Sequence, residues 1–213
     1  CIDRLRDTMQ SHERCAVVEV MGRRAGYLAL YVAMAVGATA VLVPEGPYDF
    51  DTQVVEKIRR ARLAGKTNFM IVVAEGAGQH LLSRTTAHDA SGNRVLGDIG
   101  AFLKDAIKNY FKDDPVVHPS IKYIDPSYII RSVPATAGDK VYCGFLGQYA
   151  LHAAMAGRTG MVVAQLQGRY VHLPLELVTK ERRHINILSD FWRAVLESTG
   201  QGCLKGMQPD LGK

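Results

Sequence analysis

Long apolar runs are absent from this sequence of 213 residues. None approaches the roughly 20 consecutive apolar residues that a membrane-spanning helix needs, and the N-terminus lacks the charged-then-apolar pattern of a signal peptide. Hydrophobic residues make up 47% of the chain and charged residues 22%, which is typical of a globular protein with a substantial core. We therefore expect a soluble, cytoplasmic protein without a membrane partner.

Cysteine is scarce, and its spacing is unlike that of a redox or metal site. The four cysteines form no Cys-x-x-Cys pair; they are Cys1, Cys15, Cys143 and Cys203. The seven histidines show no His-Glu-x-x-His or comparable spacing, so we expect no metal ion held by protein side chains alone. The pattern indicates reduced structural thiols.

A basic stripe is also missing, although the net charge is +5 and the sequence pI is about 9.0. The basic residues are scattered among acidic ones and are not interleaved with aromatic residues. Such a distribution does not favour a nucleic-acid partner. Small phosphorylated ligands account for the basic excess equally well.

Short apolar runs alternate with helical patterns along most of the chain. Strands are predicted over 15–20, 39–44, 69–74 and 121–124, and helices over 2–8, 25–36, 51–65, 99–111, 139–156 and 191–196. Gly37 is predicted as a left-handed helix cap and Asp51 as an N-cap. This alternation predicts an α/β fold: a mainly parallel sheet with helices on both faces, a Rossmann-like three-layer sandwich. An exposed connection at 88–94, a small C-terminal hairpin at 167–169 and a tail from residue 200 complete the interpretation.

In open α/β sheets ligands bind beyond the carboxyl ends of the strands. After the first strand, Gly22 lets the backbone approach a ligand and Arg23 offers a rigid set of donors for phosphate. A tight turn with a solvated arginine is the alternative. After the third strand, Glu75 is suited to accept hydrogen bonds from sugar hydroxyls, or else to serve as a capping or salt-bridged surface residue.

Tyr128 and Arg131 lie three residues apart, so on a helical segment both side chains share one face. Such a pair is able to grip a phosphate group. A core tyrosine beside a surface arginine is the alternative arrangement.

Several strings taken together resemble the 6-phosphofructokinase family. The string SHERCAVVEVMGRRAGYLAL resembles its strand-turn-helix, VLVPEGPYDF its next strand and Pro-Glu turn, IVVAEGAG the strand that ends in the substrate glutamate, and KYIDPSYIIRS the sugar-phosphate clamp. The segment from Lys122 to HAAMAGRTG resembles the atypical group of plant and trypanosomatid enzymes. The resemblance implies a phosphofructokinase-like fold and phosphoryl transfer to the 1-hydroxyl of fructose 6-phosphate, a step of glycolysis.

The resemblance also implies a role for each matching residue. Arg23 would stabilise charge on the transferring phosphoryl group, and Glu75 would bind sugar hydroxyls. The other substrate-binding residues that it implies are Met21, Gly22, Tyr128, Ile129, Ile130 and Arg131, with Tyr128 and Arg131 on the 6-phosphate. Arg14 and Lys122 would contact the sugar phosphate of a neighbouring subunit in a homo-oligomer, a dimer or a tetramer.

The family's general base lies in a Thr-Ile-Asp-Asn-Asp-like segment and its donor phosphates lie on a Gly-Gly-Asp loop, and neither string occurs here. The resemblance therefore implies a fragment, inactive alone, whose Mg²⁺ would be held by donor phosphates and by residues outside the chain. Expected divisions are a fructose-6-phosphate-binding domain at 1–130, a returning segment at 131–199 that packs on the donor domain, and a tail at 200–213. ATP is the expected phosphoryl donor, and pyrophosphate is the alternative donor. The alternative function is that of a non-catalytic sugar-phosphate-binding module.

Overall fold

The structure, a computed structural model, describes residues 1–46, 49–83 and 87–201. Cys203 and residues 202–213 of the predicted tail at 200–213 lie outside the described residues. The helices are α1 (Ile2–Ser11), α2 (Tyr27–Val36), α3 (Glu56–Leu63), α4 (Ile99–Tyr110), α5 (Ser127–Arg131), α6 (Ala137–Met155), α7 (Leu175–Lys180) and α8 (Asp190–Thr199). The strands are β1 (Arg14–Val20), β2 (Ala40–Leu42), β3 (Phe69–Ala74), β4 (Ser120–Ile124), β5 (Met161–Leu166) and β6 (Arg169–Pro174).

Four of the strands form one parallel sheet in the order β2-β3-β1-β4. Alternate residues of a strand face opposite sides of a sheet, and here both sides are covered. Val18 and Val72 pack with α1, α2 and α8 in one apolar core, while Val17 and Ile71 pack with α3 and α4 in the other. The predicted α/β sandwich with helices on both faces is confirmed.

Local signals account for several element ends. Gly37 ends α2 in the left-handed conformation (φ 61°, ψ 52°), as its lack of a side chain allows. The hairpin of β5 and β6 turns through Gln167 (φ 49°) and Gly168 (φ 78°), and two positive φ values are typical of a two-residue hairpin turn. The predicted hairpin is thus confirmed.

The predicted N-cap at Asp51 is wrong. Asp51–Val55 is a π-helical turn that runs straight into α3. The backbone N–H of Asp51 donates to Asp49 Oδ1 at 3.1 Å, so the capping carboxylate lies two residues earlier. Either aspartate fits the sequence signal, and the earlier one satisfies one of the free N–H groups at the start of the helix.

The chain divides into two compact units, one of residues 1–131 with the chain from His184 onward and one of Ser132–Arg183. The sequence predicts one returning segment from 131 to 199, whereas residues from 184 belong to the larger unit because Trp192 and Val195 of α8 are buried in its core. Within the predicted tail, Gln201 is buried and its side-chain amide bonds Val41 N and O at 2.8 and 3.2 Å.

The smaller unit contains α6, β5, β6 and α7. Tyr170 of β6 lies among three aromatic rings of α6, with centroids 4.8 Å from Tyr149, 5.7 Å from Phe145 and 6.4 Å from Tyr142. Among the described residues of either unit, no helix is both long and apolar enough to cross a bilayer.

Candidate functional site

The loops that leave β1 and β3 continue the pairing of the two strands beyond their last residues. Val20 lies opposite Ala74 in the sheet. Next, the N–H of Glu75 donates to Val20 O at 3.0 Å, and the N–H of Gly76 donates to Gly22 O at 3.2 Å. Gly22 N–H in turn lies 3.4 Å from Glu75 Oε1. The Glu75 side chain is therefore fixed against the backbone that carries Met21 to Arg23.

Two glycines make this close approach possible. A Cβ at Gly76 would lie 2.0 Å from Arg23 O, and a Cβ at Gly22 would lie 2.9 Å from Ala25 O. Both distances are below any that real Cβ atoms adopt. Gly76 is therefore required by the contact of the two loops, whereas the nearest atom at Gly22 belongs to its own turn.

The short helix α5 brings the predicted clamp to the same place. Arg131 Nη2 lies 3.2 Å from Met21 Sδ, and the Arg131 guanidinium carbon lies 5.4 Å from the ring centroid of Tyr128, within cation–π range. The Tyr128 side chain is 81% exposed and Ile129 is 64% exposed, whereas Ile130 is half-buried. Because thioether sulfur is a weak acceptor, the guanidinium retains donors for a stronger anionic ligand.

We call the residues gathered at this edge the strand-end cluster; they are Met21, Gly22, Glu75, Tyr128 and Arg131. Within the described ranges, no carboxylate forms an ion pair with Arg131. A guanidinium without a carboxylate partner beside an exposed tyrosine hydroxyl is suited to bind a phosphate. A nearby carboxylate, Glu75, is suited to accept hydrogen bonds from hydroxyl groups.

Arg23 follows the strand-end cluster in sequence, but its side chain contacts the loop between β3 and α4. Its Nη1 donates to Arg94 O at 2.6 Å, and its Nη2 lies 3.6 Å from Asp89 Oδ2. Hydrogen bonds from the backbone N–H groups of Asn93 and Ser91, together with Arg23, hold the pKa of Asp89 below its ordinary value. A charged Asp89 and a backbone carbonyl thus determine where the Arg23 guanidinium lies.

Arg14 and Lys122 are not brought into the strand-end cluster. Arg14 is the first residue of β1 and lies opposite Ser120. At about 3.3 Å per residue, it is about 20 Å along the strand from Val20. Lys122 lies on the edge strand β4, exposed and opposite Ala16.

Sequence reasoning missed two polar side chains, Gln79 and Glu19, whose hydrogen bonds hold the segments next to the cluster. Gln79 Nε2 donates to Glu75 O at 2.8 Å, while the same amide exchanges hydrogen bonds with Gly97 N and O at 2.9 and 3.0 Å. The length of the loop between these two positions concealed this pairing. Gln79 therefore ties the end of β3 to the segment that enters α4.

Glu19 is the second supporting residue that the sequence analysis missed. Its Oε2 accepts hydrogen bonds from Gly100 N at 3.0 Å and from Tyr123 Oη at 3.1 Å. Burial raises the pKa of Glu19, although these two hydrogen bonds act in the opposite direction. A glutamate inside the apolar run of β1 was an available signal, because a buried carboxylate requires partners.

Within the described ranges, no three acidic, histidine or cysteine side chains converge where they could hold a metal ion.

Comparison with known proteins identifies the family. The family model named Phosphofructokinase matches residues 1–154. The chain belongs to the phosphofructokinase family. Every residue of the strand-end cluster lies within the matched range, and so does Arg23.

Two relatives of this chain come from a plant and a bacterium. It is 40% identical over 195 residues to ATP-dependent 6-phosphofructokinase 7 of Arabidopsis thaliana, covering 89% of this chain and 40% of that protein. It is 42% identical over 198 residues to the ATP-dependent 6-phosphofructokinase of Amycolatopsis methanolica, covering 87% of this chain and 42% of that protein. The chain thus spans about two fifths of the length of these relatives.

A solved structure supports the same relationship. Phosphofructokinase from Saccharomyces cerevisiae matches with a TM-score of 0.64 and 26% identity, covering 93% of this chain and 24% of that one.

Proposed function

We propose that this chain is the sugar-phosphate-binding portion of an enzyme that transfers a phosphoryl group from ATP to the 1-hydroxyl of fructose 6-phosphate. The observation that carries the proposal is the arrangement of the strand-end cluster: Arg131 and Tyr128 lie against Met21, beside the loop fixed by Glu75. The donor follows from the names of the two relatives, both ATP-dependent 6-phosphofructokinases.

The proposed roles follow the chemistry of each group. Arg131 and the Tyr128 hydroxyl bind the 6-phosphate, and Glu75 accepts hydrogen bonds from the sugar hydroxyls. Met21 and Gly22 contact the sugar through backbone and packing, and Ile129 and Ile130 are the remaining substrate-binding residues. Arg23 stabilises negative charge on the transferring phosphoryl group.

Other parts of the reaction are assigned outside this chain. We place the general base and the donor-binding loop in the rest of the enzyme, and Mg²⁺ with the donor phosphates. The chain alone is then inactive. The unit of Ser132–Arg183 is proposed to pack on the donor domain, because helix α6 exposes Val141, Phe145 and Met155, a surface too apolar for water.

A homo-oligomer is part of the proposal. We propose that Arg14 and Lys122 contact the sugar phosphate of a neighbouring subunit. Arg14 lies about 20 Å from the carboxyl end of its own strand, and Lys122 is exposed on an edge strand. Location in the cytoplasm stays a prediction.

The full-length enzyme tests the proposal. Its activity is measured with fructose 6-phosphate and either ATP or pyrophosphate, and the same is done with Arg131→Ala. Losing a charge-assisted hydrogen bond to phosphate is expected to raise KM for the sugar phosphate about 10- to 100-fold. The matched control is Arg60→Ala, which removes an exposed arginine paired with Glu56 on α3 and should leave KM unchanged.

Each result has a distinct meaning. Turnover with ATP and a raised KM for Arg131→Ala alone support the proposal. Turnover only with pyrophosphate would show that pyrophosphate, not ATP, is the donor. Sugar-phosphate binding without turnover by either donor would indicate a non-catalytic module. Equal KM values for Arg131→Ala and wild type reject the clamp.

A further inference from the structure

The loop between β3 and α4 contains a compact, internally bonded turn. His88 and Arg94 form an antiparallel bridge, and the N–H of Val95 donates to Ala87 O at 2.9 Å. Inside this frame the N–H of Asp89 donates to Asn93 O at 2.7 Å. We call residues 87–95 the Asp89 turn.

The two carboxylate oxygens of Asp89 have different partners. Oδ1 accepts the backbone N–H groups of Ser91 at 2.9 Å and Asn93 at 2.8 Å. Oδ2 instead lies 3.6 Å from Arg23 Nη2. The turn therefore fixes the carboxylate by one oxygen and presents the other to Arg23, so the orientation of the charge is set by backbone geometry.

A second acceptor of the same turn fixes the other end of the guanidinium. Arg23 Nη1 donates to Arg94 O at 2.6 Å. Acceptors at both terminal nitrogens restrict the rotation of the planar guanidinium. On a flexible arginine side chain that rotation is otherwise free. Among the described residues, Asp89 is the one carboxylate in ion-pair range of Arg23.

We propose that Asp89 is a positioning residue for phosphoryl transfer, which orients the Arg23 guanidinium through the Asp89 turn before the donor arrives. This inference rests on the proposed role of Arg23 at the transferring phosphoryl group. A preorganised guanidinium stabilises developing charge without rearranging during the reaction. An unrestrained guanidinium has to be ordered during the reaction, and the cost of this ordering lowers kcat rather than the affinity for the sugar phosphate.

Asp89→Asn in the full-length enzyme is the sharpest perturbation. Asparagine keeps an oxygen for the N–H groups of Ser91 and Asn93, so the turn persists, while the charge facing Arg23 is lost. We expect kcat to fall about 10-fold with KM for fructose 6-phosphate changed less than about 2-fold. Asp105→Asn removes an equivalent exposed charge on α4 and is expected to leave both constants unchanged.

A double-mutant cycle separates positioning from general damage. In an Arg23→Ala background, Asp89→Asn is expected to have no further effect on kcat, because the group that it orients is gone. Gly92→Ala provides a second route without a charge change: Gly92 has φ 76°, so alanine strains the turn and should lower kcat in the same direction.

The outcomes distinguish this inference from the proposed function. Wild-type activity reports the proposed function, and its absence overturns both. With an active wild type, a kcat loss from Asp89→Asn that persists in the Arg23→Ala background overturns the positioning role. A rise in kcat also overturns it, since Asp89 would then restrain Arg23 from its ligand.

Discussion

Gly76→Ala tests the contact on which the strand-end cluster depends. The added Cβ would lie 2.0 Å from Arg23 O and 2.6 Å from Arg23 C, and real Cβ atoms essentially never come within 3.0 Å of another atom. The obstacle is backbone, which cannot rotate away as a side chain does. One of the two loops therefore has to move by about 1 Å.

That movement has two consequences. Overpacking costs about 1–3 kcal/mol, and weakening the bond from Gly76 N to Gly22 O costs about 1 kcal/mol more, so stability should fall by about 2–4 kcal/mol. The second effect is on catalysis. A displacement of about 1 Å at Met21 to Arg23 is expected to lower kcat/KM on the order of 100-fold.

Thermal unfolding and steady-state kinetics of the full-length enzyme measure both effects. Gly65→Ala is the control, because a Cβ there meets nothing within 4 Å and only its φ of 86° is unfavourable. It should cost about 1 kcal/mol and leave kcat/KM intact. If Gly76→Ala matched Gly65→Ala in both measurements, the loops would not be in the contact described, and the reasoning would fail.

Two further predictions concern buried titratable groups. Burial raises the pKa of Glu19 above its usual 4.5; its contribution to stability is complete below that value and is lost as pH rises through the raised folded pKa. Glu19→Gln stays neutral, so its Tm relative to wild type should increase from pH about 4 to about 7, and a constant difference would contradict this. Burial also raises the pKa of the Cys15 thiol to about 12, so a thiol reagent should modify the exposed Cys1 and Cys143 and spare Cys15 in the folded protein; peptide mapping showing equal labelling would refute it.

The sheet could be predicted from the sequence because its strands carry redundant signals. The run at Phe69–Ala74 is apolar at every position, and such a run suits a strand covered on both faces. All six residues are buried, and the helices on either side follow from the same alternation. In these elements local preference and the tertiary environment favour the same structure.

Helix α7 and the role of Gln201 could not be predicted, for different reasons. Leu175–Lys180 is only six residues long and begins directly after Pro174, the last residue of β6, so it is too short for a helical apolar period to stand out in the sequence. The Gln201 amide replaces a strand partner for Val41, 160 positions away in sequence. No local pattern encodes a bond of that range.

The candidate site divides in the same way. Strand-end position and resemblance identified Glu75 and Arg131, because the carboxyl ends of parallel strands meet. They did not identify Glu19, whose partners are Gly100 N and the Tyr123 hydroxyl. They also did not identify Gln79, which acts through hydrogen bonds to backbone atoms that any residue supplies. When a side chain bonds to a backbone atom, the sequence at the partner position carries no sign of the bond, because nearly every residue type supplies the same backbone groups.

The support of the site is consequently asymmetric. Glu75 is fixed by elements of the central sheet, with its N–H bonded to Val20 O and its carbonyl bonded to Gln79. The position of Arg23 instead depends on the Asp89 turn, which lies outside the sheet and is held by hydrogen bonds among its own residues. A change in that turn can therefore move the Arg23 guanidinium while Glu75 and Arg131 stay in place. If the proposed function holds, we predict that such a change lowers the rate of phosphoryl transfer without changing the affinity for the sugar phosphate.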